Sequence, residues 1–237
     1  MPVDAVFLDI DGVINDYALI PALWDNIGTV LSREIGGTPA DWARANRAVF
    51  DKYWEGWRTW GTDPTTWLRN QNCGLLRAMC AHLDMEPPSD DLCDALMREE
   101  DVAVARMCTA VVAGARDTIL ALASQFTVHM ATGNPSWRVD ALLEGLGVRQ
   151  SIGLSCGPDL VRSVKHSEDF YPQVFELAGC APRDAVVVDD VVEQIRLATS
   201  SGALTVHVTD ACDDHLCNAT AHSRLFRDVP GVLTALL

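Results

Sequence analysis

Two pairs of aspartates follow apolar runs of the chain, and their positions indicate a cation site. Asp9 and Asp11 stand in VFLDIDGVIND, residues 6–16, and Asp189 and Asp190 end the run AVVVDD. The apolar residues before each pair are typical of strands buried on both faces. Carboxylates gathered at the ends of neighbouring strands repel one another, and burial raises that cost, unless a hard divalent cation lies between them. The four acids therefore predict a Mg²⁺ site.

Five short apolar runs predict the strands that position these acids: AVFLDI, FTVHMAT, SIGLS, AVVVDD and ALTVHV. Between the later runs, the apolar spacing predicts helices over residues 115–124, 136–146, 169–179 and 191–201. Strands that alternate with helices are typical of a doubly wound, Rossmann-like α/β fold, whose parallel sheet is covered on both faces. Ligands bind at the carboxyl ends of such strands, where Asp9, Thr132 and Asp189 all fall.

A stretch of about a hundred residues between the first strand and the helix at 115 has helical spacing and no strand signal. Prolines separate its helical segments. We therefore predict an α/β core formed by residues 1–16 and 113–237. Residues 17–112 form an inserted, all-helical subdomain, placed where it can cover the site.

The inserted segment is rich in tryptophan: Trp42, Trp54, Trp57, Trp60 and Trp67. The middle three are spaced three apart and lie on one helical stripe. The stripe either packs inside the subdomain or forms an aromatic wall against a flat or apolar substrate. Arg58, Arg69 and Lys52 could reach a second anionic group of a substrate, but a solvated helix face is the simpler interpretation of each.

The charge of the chain restricts its partners. The 237 residues carry a formal net charge of -15, and a surface this acidic repels nucleic acid and anionic membranes. A site for a small anionic substrate must therefore reverse the sign locally, with a metal ion or a placed cation. Lys165 is a candidate for that cation, because Lys52 is the only other lysine and arginine supplies the remaining fixed side-chain cations.

Cysteine usage and hydropathy predict a cytoplasmic protein. The eight cysteines form no CxxC pair, as expected for reduced thiols. The tail HVTDACDDHLCNATAHSR clusters cysteine and histidine, but its spacing matches no standard zinc pattern, so we expect a surface segment. No apolar run reaches about 18 residues, so no membrane span is expected, and the N-terminus lacks the basic region of a secretory signal.

Four motifs in order resemble those of the haloacid dehalogenase (HAD) superfamily. DIDGVIND resembles the first motif, an Asp, any residue, an Asp and then Gly. Thr132 in HMATGN, Lys165 in SVKHSEDFYPQVFELAG and the acidic pair in AVVVDDVVEQI resemble the other three. Lys165 precedes Asp189 by 24 positions, close to the spacing of the phosphoglycolate phosphatase and β-phosphoglucomutase branch. The resemblance extends from residue 3 to about 208 and implies that the inserted helices are a mobile cap.

The resemblance also implies roles for the residues of the first motif. Asp9 would be the nucleophile that forms an aspartyl-phosphate, and it would also contact the metal. Asp11 would protonate the leaving oxygen, later take a proton from water, and face the metal with its backbone carbonyl. Gly12 would let the chain turn sharply after the strand, beside the bound substrate.

The later motifs would bind the phosphoryl group and the cation. Thr132 and the amide of Gly133 would donate hydrogen bonds to the phosphoryl oxygens, with help from Asn134. Lys165 would neutralise the charge that grows during the reaction. A further pair, Asp189 and Asp190, would hold Mg²⁺ directly or through water.

The combined expectation is a hydrolase, a magnesium-dependent phosphatase that acts on a small phosphorylated metabolite as a monomer or homodimer. A phosphomutase of the same fold remains open, as does a non-catalytic module that binds a phosphorylated ligand. Phosphonoacetaldehyde hydrolases of this superfamily use a cap lysine, a role that Lys52 could fill. Those enzymes and the dehalogenases generally lack the second aspartate of the first motif, so Asp11 argues for phosphate-ester chemistry.

Overall fold

The computed structural model describes residues 3–54, 63–210 and 218–236, without the side chains of residues 51, 53 and 54. It contains one sheet of parallel strands in the order β3-β2-β1-β4-β5-β6. The strands are β1 (Ala5–Leu8), β2 (Thr127–Ala131), β3 (Ile152–Cys156), β4 (Ala185–Asp189), β5 (Leu204–Val208) and β6 (Ala221–Ser223). The predicted α/β fold with a parallel sheet is confirmed.

The central position of β1 brings the ends of three strands together. All four of its residues are buried, and it pairs with β2 on one side and β4 on the other. Leu8 lies opposite Met130 and Val188 in the two ladders. The residues that follow each strand therefore meet at one edge, and the amide of Asp9 donates to the carbonyl of Val188 at 3.0 Å.

Helices cover both faces of the sheet. They are α6 (Ala115–Ala123), α7 (Ser136–Gly145), α8 (Pro158–Val161), α9 (Phe170–Ala178), α10 (Val192–Ser200) and α11 (Val229–Leu236), with single 3₁₀ turns at Arg149–Ser151, Pro182–Asp184 and Phe226–Asp228. The predicted helices over residues 115–124, 136–146, 169–179 and 191–201 are confirmed, each within one residue at either end. In the described ranges, no helix is both long and apolar enough to cross a membrane.

The sixth strand and the last helix were not predicted. Ala-His-Ser in β6 has no apolar run, and the strand exists because it pairs with β5, where His207 lies opposite His222. Part of the predicted surface tail is therefore the edge of the sheet. The cysteines and the histidine of that tail at positions 212, 215 and 217 lie outside the described residues.

The regular elements described between β1 and α6 are all helices, apart from single-residue bridges at the ends of the segment. Its helices are α1 (Ile20–Leu23), a 3₁₀ turn (Trp24–Asn26), α2 (Thr29–Glu34), α3 (Pro39–Trp54), α4 (Pro64–His82) and α5 (Asp90–Arg106). They enclose a core of their own that includes Leu31, Trp42, Leu76 and Met79. The division of the chain at residues 17 and 112 stays a prediction.

The predicted tryptophan stripe falls mostly outside the described part of the chain. The side chain of Trp54 and all of Trp57, Trp60 and Arg58 lie in the undescribed part. Trp42 is not part of any open surface, because it is fully buried and its indole N–H donates to the carbonyl of Gly36 at 2.8 Å.

A buried glutamate joins two helices of this segment. Glu100 of α5 has no exposed surface, and its carboxylate accepts hydrogen bonds from the backbone N–H groups that begin α2. The donors are Thr29 at 3.0 Å, Val30 at 2.8 Å and Leu31 at 2.9 Å. These amides have no partner inside their own helix, so Glu100 satisfies them and adds a negative charge at the positive end of the helix dipole.

We predict that Glu100→Gln lowers the free energy of unfolding by about 1–3 kcal/mol, because the amide keeps one acceptor oxygen and loses the charge. Urea unfolding followed by circular dichroism measures the change. Glu99→Gln is the matched control, because Glu99 is exposed and pairs with the exposed Arg33, so it should change stability little. Equal losses in both variants would contradict the prediction.

A histidine is packed into the sheet as a neutral ring. His129 of β2 stacks on Phe7 with ring centroids 5.0 Å apart, and its Nδ1 accepts the Leu154 N–H at 3.0 Å. A Cβ at Gly153 would lie 2.7 Å from the ring, so the glycine on the neighbouring strand makes room for it. Burial lowers the pKa of His129 below its ordinary 6.5.

This lowered pKa predicts a contribution to stability that depends on pH. Below pH 6.5, the unfolded chain binds a proton at His129, whereas the folded chain keeps the ring neutral to a lower pH. The stability that neutral His129 contributes is therefore complete above pH 6.5 and declines as the pH falls. His129→Asn keeps an acceptor for Leu154 but cannot titrate. The stability difference between wild type and variant should therefore shrink between pH 7.5 and 5.5, by less than about 1.4 kcal/mol per pH unit. A difference independent of pH would exclude this assignment.

Candidate active site

An ammonium group lies between two buried carboxylates at the carboxyl edge of the sheet. Asp9 follows β1, Asp189 ends β4, and Lys165 comes from the connection between α8 and α9. The Lys165 Nζ lies 2.8 Å from Asp9 Oδ2 and 2.7 Å from Asp189 Oδ2. The three side chains are at most 10% exposed, so solvent screens these ion pairs little.

A single ammonium does not balance the negative charge that is buried here. Burial raises the pKa of Asp9 to about 7, even though Lys165 lowers it. Burial and the charge of Asp189 raise the pKa of Asp190 to about 6. Burial alone would lower the pKa of Lys165, but Asp189 and Asp9 raise it above its ordinary value, so the lysine stays charged. The excess negative charge favours a further cation.

The same acids have the geometry of a metal-binding group. Asp9, Asp189 and Asp190 each offer an oxygen, and these oxygens lie within 4.8 Å of one another. The Oδ1 atom of Asp190 is buried and has no hydrogen-bond partner among the described residues. Hard carboxylate oxygens in this number suit Mg²⁺, so the residues present fit the predicted ion.

Asp11 is held apart from this group by side-chain amides. The Asn134 Nδ2 donates to Asp11 Oδ2 at 2.9 Å, and the Asn15 Nδ2 donates to Asp11 Oδ1 at 3.0 Å. The backbone N–H of Asn134 donates to Thr132 Oγ1 at 3.2 Å, and the Asn134 Nδ2 donates to the same oxygen at 3.3 Å. Because Thr132 accepts in both bonds, its hydroxyl hydrogen can donate to a ligand.

The two predicted glycines have close neighbours in the site. Gly12 has φ +83°, and a Cβ there would lie 2.2 Å from Asp190 Oδ2. The sequence predicted the sharp turn, but not that Asp190 would fill the space beside it. Gly133 lies against Lys165, with an added Cβ 4.0 Å from the lysine Cβ. These contacts join Asp11, Asn134 and Thr132 to the acidic group, so all nine predicted site residues lie in one continuous region.

Among the described residues, three further side chains contact the site and were not predicted: Asn15, Tyr17 and Tyr171. Asn15 orients Asp11, as described above, and the Tyr17 hydroxyl donates to the carboxylate of Asp190. The Tyr171 hydroxyl donates to Asp189 Oδ2 at 3.4 Å, and the Val191 N–H donates to Asp189 Oδ1 at 2.9 Å. Asn15 lies within DIDGVIND and Tyr17 directly follows it, which was a usable signal, whereas Tyr171 lies among the apolar residues of α9.

A cavity of about 250 Å³ opens beside this region, between the sheet edge and the inserted helices. Asp11, Gly133 and Asn134 form its wall on the side of the sheet. Trp24 and Phe50 lie on its opposite wall, with ring centroids 5.4 Å apart. The cavity can hold the part of a ligand that extends away from the acidic group.

The sequence matches the family model of the haloacid dehalogenase-like hydrolases over residues 3–202. None of the curated proteins matches the chain.

Solved structures of the same fold include enzymes with different named activities. An L-2-haloacid dehalogenase from Xanthobacter autotrophicus, with chloropropionic acid covalently bound, has a TM-score of 0.64 at 14% identity, with 100% of both chains covered. A magnesium-bound structure of the putative HAD-hydrolase YfnB from Bacillus subtilis has a TM-score of 0.65 at 14% identity, with 99% of this chain and 100% of that chain covered. A HAD phosphatase from Thermococcus onnurineus has a TM-score of 0.59 at 19% identity, with 97% of each chain covered. Similarity at these identities concerns the fold.

The charge excess predicts that Mg²⁺ stabilises the folded chain. At a concentration roughly 100-fold above its dissociation constant, the ion should add about 2.7 kcal/mol to the free energy of unfolding. Thermal denaturation with Mg²⁺ or with chelator measures the effect. Asp190→Asn should lose most of the Mg²⁺ response, and in chelator it should be at least as stable as wild type, because it removes one repelling buried charge.

Asp117→Asn is the control for this measurement, because Asp117 is highly exposed on α6. It should keep the full response to Mg²⁺. A response of Asp190→Asn as large as that of wild type would show that the ion binds elsewhere.

Proposed function

The chain belongs to the haloacid dehalogenase-like hydrolase family, and we propose that it is a magnesium-dependent phosphatase that hydrolyses a small phosphate monoester through Asp9. The observation that carries the proposal is the contact of Asp9 with Lys165, beside a buried acidic group that needs a further cation. A carboxylate in this position can attack phosphorus, and the cations around it can accept the dianionic phosphoryl group.

In the first step, an oxygen of the Asp9 carboxylate attacks phosphorus, and the bond from phosphorus to the ester oxygen breaks. That oxygen takes the proton of the Asp11 carboxylic acid and leaves as an alcohol. The product on the enzyme is an aspartyl-phosphate at Asp9. Lys165 stays charged and lies 2.8 Å from the attacking carboxylate, where it offsets the negative charge of the phosphoryl group.

In the second step, a water oxygen attacks the phosphorus of the aspartyl-phosphate and passes a proton to the Asp11 carboxylate. The bond between phosphorus and the Asp9 oxygen breaks, which restores the carboxylate and releases inorganic phosphate. Asp11 is then protonated again, and the cycle has consumed one water. The amides of Asn15 and Asn134 hold Asp11 in one orientation for both proton transfers.

Thr132, Gly133 and Asn134 would orient the phosphoryl group. The Thr132 hydroxyl can donate to a phosphoryl oxygen, and the backbone of Gly133 lies beside Lys165 without a side chain in the way. Asp9, Asp189 and Asp190, together with the backbone carbonyl of Asp11, would hold Mg²⁺. When bound, the ion supplies positive charge beside the phosphoryl oxygens.

Asp11 supports phosphate-ester chemistry over dehalogenation. A halide leaves without a proton, whereas an alkoxide leaving from phosphorus needs a general acid. The buried Asp189 and the half-buried Asp190 also favour a reaction that uses a cation. These features outweigh the likeness in fold to the dehalogenase from Xanthobacter autotrophicus, which is 14% identical.

Two alternatives keep the same residues. The spacing from Lys165 to Asp189 supports the phosphoglycolate phosphatase and β-phosphoglucomutase branch, and a phosphomutase would also use Asp9 and Asp11. A module that only binds a phosphorylated ligand has no need for a nucleophile. Phosphate release from a sugar phosphate, without isomerisation, separates the phosphatase from the mutase.

Turnover of p-nitrophenyl phosphate in Mg²⁺ tests the mechanism. Asp9→Asn should lower kcat by at least about 10³-fold, because the amide cannot attack phosphorus. Asp11→Asn should lower kcat by about 10²- to 10⁴-fold through the lost proton transfer, and chelator should remove turnover in wild type.

Asp16→Asn is the matched control for these variants. Asp16 is an exposed residue of the same segment whose side chain accepts from the Ala18 N–H at 2.9 Å, which asparagine can also do. It should keep wild-type turnover. Unchanged turnover in Asp9→Asn would rule out Asp9 as the nucleophile.

A further inference from the structure

The walls of the cavity beside Asp11 are mainly apolar. The side chains that face it from the inserted helices include Ile20, Trp24, Ile27, Phe50, Leu75 and Met97. Trp137 of α7 closes the wall on the side of the sheet. An apolar cavity of about 150 Å³ already holds a benzene ring, so about 250 Å³ is room for one substituted ring.

The described lining of the cavity offers no unpaired positive charge. Among the described residues that line it, Arg138 is the one cation, and its guanidinium forms an ion pair with Asp101 of α5. Both side chains are only 14% exposed, and the guanidinium lies over the Trp24 ring at 4.7 Å from its centroid. With Asp11 added, the charged groups of the described lining are one cation and two acids. A second anionic group on a substrate would therefore be repelled.

The position of Asp11 determines which part of a substrate enters this cavity. On the proposed mechanism, Asp11 protonates the leaving oxygen, and Asp11 forms part of the cavity wall. The phosphoryl group must lie toward Lys165 and the acidic group, since the positive charge is there. The alcohol part of the ester then extends from Asp11 into the apolar space.

We infer that the substrate is a phosphate monoester whose alcohol part is uncharged, largely apolar and about the size of one substituted ring. This inference rests on the proposed phosphatase function and adds the substrate class. Trp24, Phe50 and Met97 select it through apolar contact, because a polyol would lose hydrogen bonds to water on entry and find few partners.

Three phosphate esters of primary alcohols test this preference, because their leaving oxygens are chemically similar. They are benzyl phosphate, glycerol 1-phosphate and phosphoglycolate, assayed by phosphate release in Mg²⁺. The value of kcat/KM for benzyl phosphate should exceed the other two by about tenfold or more. A preference for phosphoglycolate or glycerol 1-phosphate would overturn the inference and leave the phosphatase function intact. No release from any ester, including p-nitrophenyl phosphate, would overturn the phosphatase function itself.

Asp101→Asn tests the role of the ion pair. The variant leaves the Arg138 charge without its partner, so kcat/KM for phosphoglycolate relative to benzyl phosphate should rise by about tenfold. The matched control is Asp91→Asn, because Asp91 is an exposed residue of the same helix that pairs with Arg69 of α4. It should leave the ratio unchanged. An unchanged ratio in a folded Asp101→Asn protein would contradict the charge argument.

Phe50→Ala tests the apolar wall independently, in case the loss of Asp101 unfolds the protein. It should lower kcat/KM for benzyl phosphate by about tenfold and change glycerol 1-phosphate little, because only the ring uses that wall. Leu92→Ala, at an exposed position of α5, is the control and should match wild type on both. Equal losses on both esters in Phe50→Ala would overturn the inference.

Discussion

The site depends on one ammonium group held between two buried carboxylates by the register of parallel strands. β1 and β4 pair with Leu8 opposite Val188, so Asp9, which follows β1, and Asp189, which ends β4, lie side by side. Lys165 must then reach across from the α8 to α9 connection to balance them. Without it, two carboxylates would be buried side by side, at a cost of several kcal/mol. Because Lys165 balances only part of the charge, the same arrangement leaves the site receptive to a further cation.

Two aspartates that are two residues apart have different surroundings, and this difference separates their chemistry. Asp9 is buried against an ammonium group, whereas Asp11 is half-buried and receives two amide hydrogen bonds. Gly12 makes the separation possible, because its positive φ turns the chain away and its missing side chain leaves room for Asp190. The positions of nucleophile, proton donor and cation ligand therefore follow from the conformation of one short segment after β1.

The sequence predicted those features that local patterns determine. Apolar runs identified five strands, and the motif residues at their ends predicted a site that the structure brings together around Asp9. The three-residue strand β6 was not predicted, because it forms through pairing with β5 and its own composition gives no strand signal. The role of Glu100 was not predicted for a related reason, since its partners at the start of α2 lie about 70 residues away in sequence. A charged residue on a helix looks exposed until the tertiary fold shows which amides it meets.

The ion pair of Arg138 with Asp101 is another long-range contact that the sequence did not predict, and it has a larger consequence for the substrate. The sequence does not show which carboxylate a given arginine meets, and nothing in it distinguished Arg138 from the other arginines. In the structure, Asp101 of α5 neutralises Arg138, and Trp24 covers its guanidinium. Among the described residues, unbalanced positive charge is therefore found at Lys165 and not in the cavity lining. In a chain with net charge -15, this contrast orients a phosphate ester in one direction, with its phosphoryl group toward the sheet edge and its neutral part among the helices.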